Sequence, residues 1–213
     1  MPDETPRPHR PARFADLTEI IDAAGGAASP SARAEIAAAT AEAVVQAGRS
    51  PDDASELVDL ADRIGLDTLA ALWRDADPVS LPGALWALYV LRQWCRTDAD
   101  EVTRLWRAGE PLAPAEAAVA GVADFADADA VRAVADAVLT GAYRGDFAVA
   151  LERAAAFFRV VAAGRRSAAV PAPEGGPADA ADPTAPGELA ERNERAARSL
   201  SAAASRWRAG TLH

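Results

Sequence analysis

The chain has 213 residues, 57 of them alanine, and sets 32 carboxylates against 22 arginines and no lysine, for a formal charge of −10. One cysteine, Cys95, excludes an internal disulfide and a cysteine-based zinc site. The only histidines are His9 and His213, so a histidine-dependent triad or an HExxH metal site would need a tail to fold back, and without lysine there is no GxxxxGKS phosphate loop.

High alanine without lysine is also what a GC-rich genome encodes, so this bias reports codon usage as much as selection. Residues 1–13 carry three arginines, no apolar run follows them, and they read as a disordered N-terminal tail rather than a secretory signal. The charge of −10 falls on residues 14–166. Such a field repels phosphate backbones, which makes nucleic acid a poor default partner.

Residues 14–166 read as one all-helical domain. Ser50-Pro51-Asp52-Asp53 supplies a cap, an N1 proline and early acidic residues, and Leu57, Leu60, Ala61 and Ile64 follow at the helical period. Asp52, Asp53 and Glu56 also match a DDxxE magnesium pattern, but a helix N-terminus attracts carboxylates for dipole reasons alone, and no second cluster accompanies them. Residues 56–72 resemble a helix-turn-helix, with Ala61 at the packing position and Gly65 in the turn. The recognition helix would carry Asp67, Asp75 and Asp77 against Arg74 alone, a poor set for phosphates and base edges.

Leu66, Leu69, Ala70 and Trp73 continue the helical period. Ser80 before Leu81-Pro82 reads as a cap, and Leu85, Trp86, Leu88, Tyr89, Val90, Leu91 and Trp94 then cover every direction of one helix. A helix apolar all round belongs at the centre of a bundle. Its apolar run is too short to span a bilayer, so no membrane association is expected. Cys95 at its end reads as buried and inert, since reactive thiols need an electropositive, partly exposed setting. Thr97 or Asp98 caps the next helix, with Val102, Leu105 and Trp106 inward. Ala115, Ala118, Val119 and Val122 form a further face, as do Val131, Val134 and Val138. Phe147, Leu151, Ala154, Phe158 and Val161 make a four-three seam, and Gly48, Gly65, Gly109, Gly145 and Gly164 fall where helices should stop.

Leu72-Trp73-Arg74-Asp75-Ala76-Asp77-Pro78-Val79 aligns with Leu105-Trp106-Arg107-Ala108-Gly109-Glu110-Pro111-Leu112 at an offset of 33 residues. Units of that length characterise helix-hairpin solenoids, although two unrelated helices with similar ends give the same match. Arg74 and Arg107 take equivalent positions, either lining a shared groove or covering tryptophan faces. Trp73, Trp86, Trp94 and Trp106 read as packing residues.

Residues 167–187 hold five prolines and three glycines and read as a flexible linker. Residues 188–213 carry a charge of +2 and an amphipathic helix, with Leu189, Ala196, Leu200, Ala204 and Trp207 on one stripe. The fold expected is therefore all-α: stacked helical hairpins in a compact bundle or short α-solenoid, with a tethered C-terminal helix.

The segments Leu81–Arg92 and Gly145–Arg153 resemble parts of an uncharacterised family of helical proteins from actinobacteria. The resemblance covers about residues 60–166, implies a bacterial cytoplasmic setting, and carries no activity or functional residue.

The functional expectation is a non-enzymatic interaction or adaptor protein, with no catalytic, metal or cofactor residues and an unidentified protein partner. Its C-terminal helix docks on its own acidic body or on that partner, through Leu189, Leu200 and Trp207, with Arg74 and Arg107 as further contacts. The alternative is a transcriptional or signalling regulator using residues 56–72. An enzyme would need a carboxylate–arginine site that residue spacing does not reveal.

Overall fold

The computed structural model describes residues 29–48, 62, 65–121, 127–168 and 184–213. All regular elements among the described residues are helical: α1 (Pro30–Gly48), α2 (Leu66–Trp73), α3 (Leu81–Thr97), α4 (Ala99–Gly109), a 3₁₀ turn (Glu110–Leu112), α5 (Pro114–Ala120), α6 (Ala128–Arg144), α7 (Phe147–Ala168) and α8 (Thr184–Arg208). None of the described helices is long and apolar enough to cross a membrane. The N-terminal tail, the Ser50–Asp53 cap with its DDxxE match, Val122 and residues 56–61, 63 and 64 of the helix-turn-helix segment lie outside the described residues.

Short polar side chains start the helices where the sequence places them. Ser80 Oγ accepts from Gly83 N at 3.3 Å, and Asp127 Oδ1 from Ala130 N at 2.9 Å, which satisfies two orphan N–H groups of α3 and α6. Asp146 Oδ1 accepts from Ala148 N (2.9 Å) at the start of α7. Asp98 follows α3 directly and precedes α4, but makes no side-chain cap.

Helix α3 packs on α1, α2, α4, α6, α7 and α8, whereas α7 packs on α3, α4, the 3₁₀ turn, α5, α6 and α8. The sequence points to α3 as the central helix, yet α7 is the more enclosed. Trp86, Val90 and Trp94 of α3 keep partial exposure, while α7 buries a continuous core from Ala154 to Phe158 and again from Val160 to Gly164. Small side chains produce this. Ala148, Ala150, Ala154, Ala155, Ala156, Ala162 and Ala163 are all buried, so neighbouring helices can approach α7 from several sides at once. Alanine abundance therefore has a packing role here as well as a genomic source.

The closest approach is between α4 and α7. A Cβ on Gly164 would land on the Leu105 carbonyl oxygen and lie 3.1 Å from Gly109 N; one on Gly109 would land on the Val160 carbonyl oxygen. Gly164 is thus no helix stop, and α7 continues four residues past it to Ala168. Gly48 and Gly109 end α1 and α4, Gly145 caps α6, and Gly65 precedes α2. The inward face of α5 also differs from its predicted one: Ala117 and Ala120 are buried, while Ala115, Ala118 and Val119 are exposed, Val119 at 54%. In a helix so rich in alanine, hydrophobic spacing does not single out a face.

The predicted linker is helical at both ends. Ser167 and Ala168 extend α7, and Thr184 to Gly187 open α8, whose first turn tolerates Pro186. Beyond Arg208 a left-handed Gly210 (φ +68°) lets Thr211 N reach Arg206 O at 2.9 Å and Gly210 N reach Trp207 O at 3.0 Å. The chain then buries Leu212, and Leu81 N donates to the backbone oxygen of His213 at 2.9 Å. The first N–H of α3 is thereby satisfied by the far end of the sequence.

Candidate functional site

The seat of α8 on α7 is set by three polar contacts. Arg208 grips Glu152 with both terminal nitrogens (Nη2 to Oε2, 2.8 Å), Arg159 Nη2 donates to Ser201 Oγ at 2.7 Å, and Arg166 pairs with Glu194 at 3.0 Å. Positions 152, 159 and 166 rise by sevens as 208, 201 and 194 fall by sevens. This is the register of an antiparallel heptad pair. With the Trp207 ring 4.7 Å from that of Phe147, the core positions of this heptad pair Trp207 with Ala148, Ala204 with Leu151, Leu200 with Ala155, and Ala197 with Phe158. Asn193 then faces Ala162, and Ala190 faces Arg165. Each layer sets a larger side chain against alanine, so the two helices interdigitate along the whole seam.

Burial follows that register. Leu200, Ala197, Ala190 and Ala204 are 1% exposed or less, and Trp207 is half-buried with its ring 4.7 Å from that of Phe147. The predicted stripe is correct at Leu200, Ala204 and Trp207 but one residue out at its N-terminal end. Leu189 is 37% exposed and Ala190 takes its place; Ala197 rather than Ala196 is fully buried. Leu200→Ala should therefore cost about 3 kcal/mol and Leu189→Ala less than ~0.5 kcal/mol, read as urea midpoints. Equal costs would contradict the register.

The two ends of the seam differ. At the Trp207 end, Arg206 Nη1 also donates to Val79 O at 3.1 Å. At the other end Arg165 lies over the Trp94 ring (5.4 Å) and pairs with Glu101 at 3.2 Å. There Arg165 Nε and Asn193 Nδ2 are buried without a protein hydrogen-bond partner. Unmet donors of this kind cost on the order of 1–3 kcal/mol each, so this is the weak end.

The hydrogen bond from Arg208 holds the Glu152 carboxyl below the usual carboxylate range, against a small opposing effect of burial.

Arg74 and Arg107 are not brought together. Arg74 is exposed beside Asp75 (3.7 Å), on the outer face of α2 with Asp67. Arg107 lines a cleft with Asp100, Thr103, Arg104 and Asp127, which Arg74 does not line. The aligned tryptophans differ in surroundings as well. Trp73 lies against Tyr89 (6.1 Å) and donates to Thr40 Oγ1 at 3.1 Å, whereas Trp106 lies against Phe157 (5.2 Å). The arginine that covers a tryptophan face is Arg165, which the repeat does not single out.

A second polar centre was not anticipated. The Arg92 side chain, 2% exposed, donates through Nε to Asp136 (2.6 Å) and through Nη2 to Asp62 (3.1 Å). Arg96 joins Asp62 at 3.4 Å. Burial opposes the charge on Arg92, but hydrogen bonds to Asp62 and Asp136 outweigh it and raise its pKa. Nearby, Tyr89 and Tyr143 share a buried hydroxyl–hydroxyl bond of 2.7 Å between α3 and α6, and burial raises the pKa of both. The sequence signal was Arg92 within an otherwise apolar helix, four residues before Arg96. Among the described residues two guanidiniums meet two carboxylates, and the cluster clamps α3 to α6 and to residue 62.

Burial, and secondarily the Asp136 charge, push the Cys95 thiol up to about 12. It stays protonated at neutral pH, and we expect no alkylation of the native chain by iodoacetamide until denaturant is added.

A cleft of about 490 Å³ lies between α1, α2 and the end of the chain, floored by Ala37, Ala38, Ala71 and Leu72 and rimmed by Arg33, Asp75, Asp77 and His213. Among the described residues no group of three or more His, Cys, Asp or Glu side chains is placed to hold a metal ion. No protein-family model, curated protein or solved structure matches the chain.

Proposed function

We propose that this is a non-enzymatic helical interaction protein whose C-terminal helix α8 docks on its own body and yields that seat to a partner. The observation that carries the reading is the α7–α8 seam: a heptad register of small against large, firm at Trp207 and weak at Asn193. A helix laid in a groove is a common mode of partner recognition, and a competing amphipathic helix would need the same α7 face. A cytoplasmic setting goes with this reading. The packing of α1 on α6 and of α8 on α3 supports a closed bundle over a solenoid, in which each repeat touches only its neighbours.

Hydrogen exchange on the full chain tests it. The amides of α8 should open at a lower free energy than those of α3 and α7, beginning from the Asn193 end. Exchange of α8 only on global unfolding would sink the reading, because α8 would then be a permanent part of the core. Acid should ease the opening. Glu152 titrates below its ordinary value when paired, so its contribution is complete above the unfolded carboxylate pKa of about 4.3 and is lost as the pH falls through the lowered value. We expect faster α8 exchange between about pH 5 and pH 3, after correction for intrinsic rates, and a flatter response in Glu152→Gln. Both groups are solvent-accessible, so the effect is modest and screened by salt.

The alternative, a regulator acting through residues 56–72, draws less support. The described part of its recognition helix shows Arg74 among Asp67, Asp75 and Asp77. A titration with duplex DNA at low ionic strength decides it, since phosphate-led affinity would fall steeply with salt.

A further inference from the structure

We infer that the partner which takes the α7 seat is a second copy of this chain, contributing its own α8 in a reciprocal exchange of C-terminal helices. The inference rests on the docking reading above and names its partner. It starts from the path between the two helices. In the layer register that sets Asn193 opposite Ala162, Ala168 lies level with Gly187, and α8 overhangs the end of α7 by three residues. At 1.5 Å per residue the overhang is about 4.5 Å, and packed helices lie about 8–10 Å apart. The gap from Ala168 to Thr184 is then roughly 10 Å, which about three extended residues would cover. Residues 169–183 supply fifteen. Helix–helix connections in bundles usually run to about 2–8 residues. This connection is thus about five times the length its own helix pair requires, with a contour of up to about 50 Å. That is enough to carry α8 to the equivalent seat of a second molecule.

The seam itself needs nothing new to form between copies. Glu152 and Arg166 belong to the body, Glu194 and Arg208 to the helix, and every layer joins one α7 residue to one α8 residue. Two exchanged seams therefore repeat the contacts of two closed ones. Exchange of an identical element is a low-cost route to a dimer. The tether holds α8 at an effective concentration on the order of 1 mM, so exchange competes when the protein approaches that concentration or when the closed seam is weakened.

The test weakens it selectively. One full-length variant carries Glu152→Arg and Arg166→Glu on the body; another carries Glu194→Arg and Arg208→Glu on the helix. Each alone sets like charges against each other at both ends of its own seam. Mixed one to one, they can form a heterodimer in which one seam is wild-type and the other is charge-reversed but matched.

Native mass spectrometry of the mixture should show that heterodimer as the dominant dimer, at least tenfold above either homodimer. A chain carrying all four substitutions should behave as the wild type does. A mixture that stays as two monomers, at concentrations where the four-substitution chain is folded, would overturn the inference. Should either variant fail to fold alone, co-refolding the pair from denaturant applies the same criterion: a soluble heterodimer supports exchange, and its absence refutes it. Hydrogen exchange keeps the two ideas apart. An α8 that opens independently but forms no heterodimer leaves the docking reading standing with another partner.

Discussion

Gly164→Ala is expected to lower stability by about 3 kcal/mol, a fall in Tm of roughly 6–12 °C for a chain of this size. The added methyl would land on the Leu105 carbonyl oxygen, which is backbone and cannot rotate away. Relief requires α4 to move off α7, and that opens the contact between Trp106 and Phe157. Gly141→Ala is the control. Gly141 also sits inside a helix, but a Cβ there meets nothing within 4 Å, so alanine should raise stability by about 0.5–1 kcal/mol through its helix propensity. Thermal unfolding of the two variants gives opposite signs if close approach is the reason for Gly164. Two shifts of the same sign would refute it.

The second large effect is at the Arg92 cluster. Asp136→Ala should cost about 3 kcal/mol, because it removes a hydrogen-bonded carboxylate from a guanidinium that is 2% exposed and cannot rehydrate. Arg92→Met should cost less. It removes the buried charge itself, and Asp62 and Asp136, each nearly two-fifths exposed, can turn to water. Urea unfolding gives the order. If Arg92→Met proved the more damaging, the cluster would be contributing through packing and not as a charge clamp.

Much of this organisation was legible in the residues. The helical period at Leu69 and Trp73, at Val102, Leu105 and Trp106, and along Phe147 to Val161 corresponds to buried faces of α2, α4 and α7. Ser80 caps as expected, because capping depends on one side chain and a neighbouring N–H and is wholly local. The stripe of α8 was readable at Leu200 and Trp207, where large residues mark the inward side, and slipped by one at Leu189, where alanines on both sides leave the pattern ambiguous. The same ambiguity moved the face of α5 from Val119 to Ala117.

What needed the tertiary structure is long-range. The heptad pairing of 152, 159 and 166 with 208, 201 and 194 joins residues 28 to 56 apart in sequence, and neither helix alone specifies its partner or direction. Arg92 reads as a stray charge until Asp62 and Asp136 arrive from other segments. Gly164 reads as a stop until α4 lies against it. The sequence by itself determined the helical character of the described residues, since periodicity and caps are local properties, and a chain with one cysteine and two histidines. Only packing decided which alanines bring backbones together and which glycine is a contact point, because a small residue acquires its role from what lies against it.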